Sequence, residues 1–97
     1  MKQSSQASWS AVLPSVPLSP GVYWFLDDAG KVLYVGKAIR LRTRLRSYTQ
    51  LSKLSDRIHT LSTTATEVKW LELGSELEAL LTEAELIGTY QPPYNIL

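Results

Sequence analysis

Two apolar, aromatic-rich segments separated by a short turn constrain the fold of this chain more than any other feature. Residues 22–26 read Val-Tyr-Trp-Phe-Leu, and residues 31–35 read Lys-Val-Leu-Tyr-Val. Side chains that are β-branched or aromatic favour strands. Residues 27–30 read Asp-Asp-Ala-Gly, a turn in which the glycine can adopt positive φ. The pattern predicts a β-hairpin.

The rest of the chain alternates between helical and strand-like patterns. Helical spacing of apolar residues predicts helices over residues 37–48, 51–61 and 75–88, and alternation predicts a third strand over residues 67–73. The last helix starts with a Ser-x-x-Glu capping box at residues 75–78. Its predicted buried stripe consists of Leu77, Leu80, Leu81, Ala84 and Ile87.

Length and composition indicate one small globular domain. The 97 residues are 44% hydrophobic and include no cysteine, so disulfides and thiolate metal sites are excluded. Residues 1–19 are interpreted as a lead-in segment with a short helix near residues 9–13, and residues 20–97 as the folded domain.

The polar N-terminus does not resemble a signal peptide, and no apolar run is long enough to span a bilayer. A cytoplasmic location without membrane attachment is expected.

Charge is segregated along the chain although the net charge is only +1. Residues 31–46 carry six basic side chains and no acidic one, whereas residues 67–85 carry six glutamates and one lysine. Such a distribution can attract a polyanion to one side of a molecule. The alternative is a pair of ordinary solvated helix faces.

Two short strings combine tyrosine with glycine near the predicted strand ends. They are Gly-Val-Tyr at residues 21–23 and Tyr-Val-Gly at residues 34–36. Glycine leaves room for a phosphate backbone to approach, and nearby cations would lower the pKa of a phenol. The alternative for Tyr23 and Tyr34 is ordinary half-buried packing.

Basic residues follow the second string immediately. In a helix that starts at residue 37, Lys37, Arg40 and Arg44 share one face and suit phosphate binding, whereas Arg42 and Arg46 point elsewhere and suit distal contacts with a nucleic-acid backbone. A solvated helix face is the alternative.

Two polar residues near the C-terminus complete the candidate set. Glu83 and Glu85 flank the apolar stripe of the last helix, and periodicity does not choose between them. A single carboxylate suits Mg²⁺, which keeps several waters. Residues 90–95 are predicted to be extended because Pro92 and Pro93 do not continue a helix, and Asn95 follows them. Phenol, cation, carboxylate and amide together suggest metal-assisted phosphodiester cleavage.

These residues resemble the signature of the GIY-YIG nucleases, and most closely the N-terminal nuclease domain of the bacterial excinuclease subunit UvrC. The similarity covers residues 20–97 and rests on five pieces in this order and spacing. They are Pro-Gly-Val-Tyr at 20–23, Leu-Tyr-Val-Gly-Lys-Ala at 33–38, Arg-Leu-Arg-Ser-Tyr at 44–48, Glu-Ala-Glu-Leu-Ile at 83–87 and Pro-Tyr-Asn-Ile-Leu at 93–97.

The resemblance implies an α+β fold with one three-stranded antiparallel sheet flanked by helices. It implies hydrolysis of DNA with one divalent metal, Mg²⁺ or Mn²⁺, held by Glu83 rather than Glu85. It also assigns roles to the other members of the motif. The implied catalytic residues are Tyr23, Tyr34, Lys37, Arg44 and Asn95, and the implied DNA contacts are Lys37, Arg40, Arg42, Arg46 and Tyr48. Tyr23 is slightly favoured over Tyr34 as the proton acceptor.

Three functions remain open from the sequence. The first is an endonuclease domain that makes one incision in nucleotide excision repair. The second is a GIY-YIG nuclease of another setting, structure-specific or from a mobile element, and the third is a catalytically silent DNA-binding module. A monomer is expected, and contact with a UvrB-type damage-recognition subunit would use regions outside this chain.

Overall fold

The predicted hairpin forms and becomes part of a three-stranded antiparallel sheet. The structure, a computed structural model, describes residues 8–96, so the parts of the lead-in and C-terminal predictions that fall on residues 1–7 and 97 lie outside it. Strand order is β2-β1-β3, which places β2 at an edge. The strands are β1 (Gly21–Leu26), β2 (Val32–Ala38) and β3 (Glu67–Glu72), and the α-helices are α1 (Leu41–Ser47), α2 (Asp56–Thr64), α3 (Glu76–Tyr90) and α4 (Pro93–Ile96).

The turn between β1 and β2 is closed by an aspartate side chain. Asp27 Oδ1 accepts hydrogen bonds from the backbone N–H groups of Ala29 and Lys31, both at 2.9 Å. Gly30 adopts a φ of 81°, the left-handed conformation that glycine tolerates best. The turn therefore contains the glycine with positive φ that the sequence predicted.

Alternation along the strands divides the sheet into two covered faces. On one face, Tyr23 and Phe25 pack with Trp9, Leu45 and other residues of the core. On the other face α3 lies across β2 and β1. Helices α1, α3 and α4 all contact β2, so this strand brings together helices from distant parts of the sequence.

The lead-in segment is part of the core. Residues Ser8–Ser15 form a 3-10 helix from which the Trp9 ring meets the edge of Phe25 at 5.0 Å between centroids. The carbonyls of Pro17 and Ser19 accept from the first N–H groups of α1, at 3.0 Å each. Because α1 has no side-chain cap at its start, these carbonyls supply the partners that its free N–H groups require.

The helix predicted over residues 37–48 begins only at Leu41. Lys37 and Ala38 instead extend β2, where they pair with Val22 and Gly21 of β1. The prediction that Lys37, Arg40 and Arg44 share one helix face is therefore wrong, since pairing with β1 overrides the local helical pattern.

The prediction of one helix over residues 51–61 is also corrected, because a 3-10 turn (Leu51–Lys53) precedes α2.

The C-terminal residues are helical rather than extended. Helix α3 continues to Tyr90, and Gln91 caps it in the left-handed conformation, with a φ of 44°. Pro93 then occupies the first turn of α4. A proline is tolerated there because the N–H that it lacks would have no helical partner.

The predicted capping box of α3 forms, but the predicted buried stripe does not. Ser75 Oγ accepts from the N–H of Glu78 at 3.1 Å, and the Glu78 carboxylate accepts from the N–H of Gly74 at 2.8 Å. Ala79 is the one fully buried residue of α3. Of the predicted stripe, Leu77, Leu80, Leu81 and Ala84 are exposed and Ile87 is half-buried. The helix therefore packs through the side that carries Ala79, whose small side chain permits close approach to the sheet.

Replacing Gly36 with alanine is expected to destabilise the fold. A methyl group on Gly36 would overlap the phenol of Tyr23, which crosses directly over it. Overpacking of this kind costs about 1–3 kcal/mol, which chemical denaturation would measure. Gly88→Ala is the matched control, because nothing lies within 4 Å of its added methyl group and alanine favours an exposed helix by about 0.5–1 kcal/mol. Equal stability of Gly36→Ala and the wild-type chain would contradict the packing role.

Candidate active site

Four of the predicted site residues come together at the edge of β2. Tyr34 and Lys37 belong to β2, Arg44 lies on α1 and Glu83 lies on α3. The phenol of Tyr34 is close enough to Arg44 and to Glu83 for both charges to influence its pKa. A carboxylate, two cations and a phenol thus lie around one sheet edge, although they come from distant parts of the sequence.

Behind this edge lies a cluster of three phenols. The hydroxyls of Tyr23 and Tyr48 form a 2.7 Å hydrogen bond in the core, and the Tyr23 and Tyr34 rings are 6.4 Å apart between centroids. The Arg44 guanidinium sits 5.8 Å from the centroid of the Tyr48 ring and is close enough to the Tyr23 hydroxyl for the phenol to raise the pKa of the guanidinium. The cluster therefore places the cationic head of Arg44, whose side chain is otherwise exposed, beside the phenols.

Burial keeps these phenols protonated. It raises the pKa of Tyr34 to about 12, with Tyr48 and Glu83 adding to the shift. Burial likewise raises the pKa of Tyr23 and that of Tyr48. The prediction that nearby cations lower a phenol pKa is wrong here, because desolvation of the phenolate outweighs the attraction of Arg44.

The two glycines of the motif serve packing rather than phosphate access. Gly36 makes room for the Tyr23 phenol, and a side chain on Gly21 would overlap the Leu71 carbonyl and the Leu41 side chain. Both glycines are buried. The prediction that they leave space for a phosphate backbone is therefore wrong.

An open cavity of about 740 Å³ lies beside the phenol cluster. It runs from the end of β2 across the start of α1 to the first half of α3, and both Lys37 and Arg44 line it together with Arg40. Glu76, Ala79 and Leu80 form its opposite wall. The three cations predicted to act together thus do meet at one surface, through the strand end and the loop rather than through one helix face.

Glu83 fits the role of a metal ligand better than Glu85 does. It is half-buried on the side of α3 that faces the sheet, whereas Glu85 is exposed. No hydrogen bond or salt bridge from residues 8–96 engages the Glu83 carboxylate, and no cluster of three or more acidic, histidine or cysteine side chains occurs in that range. A single free carboxylate beside a phenol is a donor set suited to one hard cation that retains most of its waters.

Asn95 binds the exposed edge of β2. Its Oδ1 accepts from the N–H of Val35 at 2.8 Å, and its Nδ2 donates to the carbonyl of Val35 at 3.0 Å. The amide thus pairs with β2 as a neighbouring strand would. Because Val35 adjoins Tyr34, this contact orients the strand that carries Tyr34 and does not place the amide among the cations.

The four other residues predicted to contact DNA occupy different environments in the fold. Arg42 donates through Nε to the Val16 carbonyl at 2.7 Å and so anchors the lead-in segment. Tyr48 is buried, so its ring does not offer a surface for DNA. Arg40 and Arg46 are exposed, but only Arg40 lines the cavity.

One contact that supports the site was not predicted from the sequence. Arg57 of α2 donates to the Tyr94 carbonyl, and its guanidinium lies 5.5 Å from the centroid of the Tyr94 ring. Tyr94 precedes Asn95, so Arg57 helps to hold α4 against β2. No local pattern around residue 57 signals this contact, because its partner is 37 residues away in sequence.

No helix within residues 8–96 has both the length and the apolar character needed to cross a membrane.

Comparisons with known proteins identify the family to which this chain belongs. Residues 19–96 match the model of the UvrC-like GIY-YIG domain. The chain is 50% identical over 86 residues to UvrABC system protein C of Zymomonas mobilis, covering 89% of this chain and 13% of that protein. It is 48% identical to the Corynebacterium diphtheriae protein of the same name, over 84% of this chain and 12% of that protein. The chain therefore spans about an eighth of the length of these relatives.

A solved structure matches the whole fold. The magnesium-bound GIY-YIG N-terminal endonuclease domain of UvrC from Thermotoga maritima superposes with a TM-score of 0.80 at 35% identity, covering 99% of this chain and 100% of that one. The fold expected from the resemblance, a three-stranded antiparallel sheet flanked by helices, is thus confirmed. The chain belongs to the UvrC-like GIY-YIG family.

Proposed function

We propose that this domain is a metal-dependent endonuclease that hydrolyses a phosphodiester bond of DNA and makes one incision in nucleotide excision repair. The observation that carries the proposal is the proximity of Tyr34 to both Arg44 and Glu83, beside a cavity that Lys37 and Arg44 line. The family membership supports it, since the Thermotoga maritima domain is an endonuclease with a catalytic divalent cation.

Glu83 would hold one Mg²⁺ or Mn²⁺ ion. When bound, such an ion supplies Lewis-acid stabilisation of charge on the phosphate oxygens. The half-buried position of Glu83 and its lack of a protein partner within the described residues support this role.

Tyr34 is better placed than Tyr23 to accept a proton from the attacking water. Tyr23 is 0% exposed, and its hydroxyl is hydrogen-bonded to that of Tyr48 in the core. Tyr34 is half-buried and lies nearer the carboxylate of Glu83. We therefore propose Tyr34, rather than Tyr23, as the proton acceptor. In the proposed step the water oxygen would bond to phosphorus while its proton passes to the Tyr34 phenolate. The bond to the leaving nucleoside oxygen would break, and that oxygen would keep the electron pair and take a proton from solvent.

Arg44 and Lys37 would bind and stabilise the phosphate as its charge increases. The phenol cluster positions the Arg44 guanidinium before substrate arrives, and donors fixed in this way are the most effective at stabilising a transition state. Arg40 extends the cationic wall of the cavity along the DNA backbone. Arg46 would add only a distal contact.

A silent DNA-binding module is less well supported, because such a module has no need of a free carboxylate beside a phenol. A GIY-YIG nuclease of another setting is less well supported because the relatives reported above are proteins of the UvrABC system.

We further propose that the domain is monomeric and acts in the cytoplasm, and that any UvrB-type subunit contacts other segments of the relatives.

Nicking of supercoiled plasmid by the purified 97-residue chain tests the function. We expect nicked circles with Mg²⁺ or Mn²⁺ and none with EDTA. Cleavage that persists in EDTA would overturn the metal role. Absence of cleavage by both this chain and a full-length relative carrying it would overturn the nuclease assignment.

The cleavage rate is expected to rise with pH because the Tyr34 pKa of about 12 leaves little phenolate near neutrality. Its logarithm should increase by about one per pH unit between pH 7 and 9. Tyr34→Phe should lose this dependence and about 10²- to 10⁴-fold in rate, measured under single-turnover conditions. Tyr90→Phe, which alters an exposed tyrosine, is the control. A pH-independent wild-type rate would exclude Tyr34 as the base.

A further inference from the structure

Helix α3 exposes a stripe of apolar residues to solvent. Leu77, Leu80 and Leu81 have 63%, 47% and 62% of their surface exposed, and Ala84 and Gly88 continue the stripe. The spacing is i, i+3, i+4, i+7 and i+11, which keeps all five on one side of a helix. At about 1.5 Å per residue the stripe is about 17 Å long.

This stripe lies on the opposite side of α3 from its contact with the sheet. The sheet-facing side carries the buried Ala79 and the half-buried Glu83 and Leu86. Helix α3 is therefore apolar on two opposite sides, and only one of them is covered. Amphipathic surface helices are normally polar on the side away from the core, and a helix that is apolar on both sides is normally covered on both.

Carboxylates border the stripe. Glu78 and Glu85 lie along one flank and Glu76 along the other, while α3 contains no lysine or arginine. A surface with an apolar centre and a charged rim is typical of a protein interface. The acidic rim disfavours nucleic acid and anionic membranes, which would be repelled by it.

We propose that this stripe is a docking site for an amphipathic helix of a partner protein, with leucine-type residues along its centre and lysine or arginine on its flanks. Two helices with complementary stripes pack side by side, and opposite charges beside the seam determine which helices pair. A second copy of this chain fits poorly, because its own Glu76, Glu78 and Glu85 would face the same carboxylates.

The docking site lies beside the candidate active site, since Leu80 of the stripe and Glu76 of its rim also line the cavity. Glu83 lies on the sheet-facing side of α3, and only Leu80 belongs both to the stripe and to the wall of the cavity. The stripe contains neither Tyr34 nor Glu83, so a helix bound there contacts neither residue through the stripe. The proposal goes beyond the nuclease function, and its test uses no cleavage assay.

The test uses two labelled helical peptides of about 14 residues, or four turns. Both carry leucine at the i, i+3, i+4 and i+7 positions, and they differ only in having lysine or glutamate on the flanks. Fluorescence anisotropy with the full chain is expected to show binding of the lysine peptide, weakened by salt, and binding of the glutamate peptide at least about tenfold weaker.

Variants locate the site. Leu77→Ser with Leu81→Ser should weaken binding of the lysine peptide by about tenfold or more, because centrally buried apolar anchors dominate such interfaces. Leu18→Ser is the matched control, since Leu18 is 54% exposed but lies in the lead-in segment. The double variant Glu76→Lys with Glu85→Lys should reverse the order of the two affinities, so that the glutamate peptide binds more tightly than the lysine peptide. Circular dichroism verifies that each variant is folded.

Each remaining outcome overturns the proposal. Equal binding of the two peptides would refute the charge-selected partner, and no binding of either would refute the docking site. Binding unaffected by the Leu77 and Leu81 substitutions would place the contact elsewhere. Self-association in sedimentation that is lost in the same variant would show that a second copy is the occupant.

Discussion

Replacement of Glu83 by alanine is expected to abolish metal-dependent cleavage while leaving the fold intact. Glu83 is the half-buried carboxylate nearest the phenol of Tyr34, and loss of a metal ligand removes several kcal/mol of transition-state stabilisation, or about 10³-fold or more in rate. Its substitution should change the free energy of unfolding by only about 0.5 kcal/mol, because no described hydrogen bond or salt bridge is lost.

Glu85→Ala provides the matched control for this prediction. Glu85 lies two residues further along α3, is exposed, and points away from the sheet. Titration with Mn²⁺ should show binding to the Glu85 variant and to the wild-type chain but not to Glu83→Ala. Undiminished cleavage by Glu83→Ala in Mg²⁺ would show that the metal is held elsewhere.

Replacement of Arg44 by alanine is expected to cost about 10²- to 10³-fold in cleavage rate, the usual effect of removing a preorganised donor from a developing oxyanion. The guanidinium lies beside Tyr23 and the Tyr48 ring before substrate binds, so the donors already face the site. Arg44→Lys should recover only part of the rate, since an ammonium does not reproduce the planar set of donors.

Arg46→Ala distinguishes a specific role of Arg44 from a general loss of positive charge. Both side chains belong to α1, but only Arg44 lines the cavity and contacts the phenols. Single-turnover rates at saturating DNA should fall for Arg44→Ala and stay near the wild-type value for Arg46→Ala. Similar losses in the two variants would indicate that α1 contributes charge alone.

The hairpin was predictable because its determinants are local. Aromatic and β-branched side chains, an aspartate that closes its own turn, and a glycine at positive φ all lie within residues 22–35. The capping box of α3 was predictable for the same reason, since Ser75 and Glu78 are three residues apart. The membership of the candidate site came from the family motif rather than from periodicity, which did not separate Glu83 from Glu85.

The errors occurred where a distant segment outweighed a local pattern. Lys37 lies in a strand because Val22 pairs with it across the hairpin, although the following residues have helical spacing. The motif glycines are buried beneath Tyr23 and beside Leu71, partners that sequence proximity does not reveal. The leucines of α3 were predicted to be buried because they form the more hydrophobic stripe of the helix. In the fold, α3 instead packs against the sheet through the side that carries the smaller Ala79.

The order of residues was sufficient to predict three strands, the turn, the start of α3 and the family, since each depends on short-range chemistry or on motif spacing, although the end of β2 at Lys37 and Ala38 was not predicted. Packing was needed to determine which face of α3 meets the sheet and which leucines stay exposed. It also determined the protonation of the phenols, because the pKa of Tyr34 depends on the water that the surrounding elements exclude. Burial is a property of the assembled layers, and no segment of this chain creates it alone.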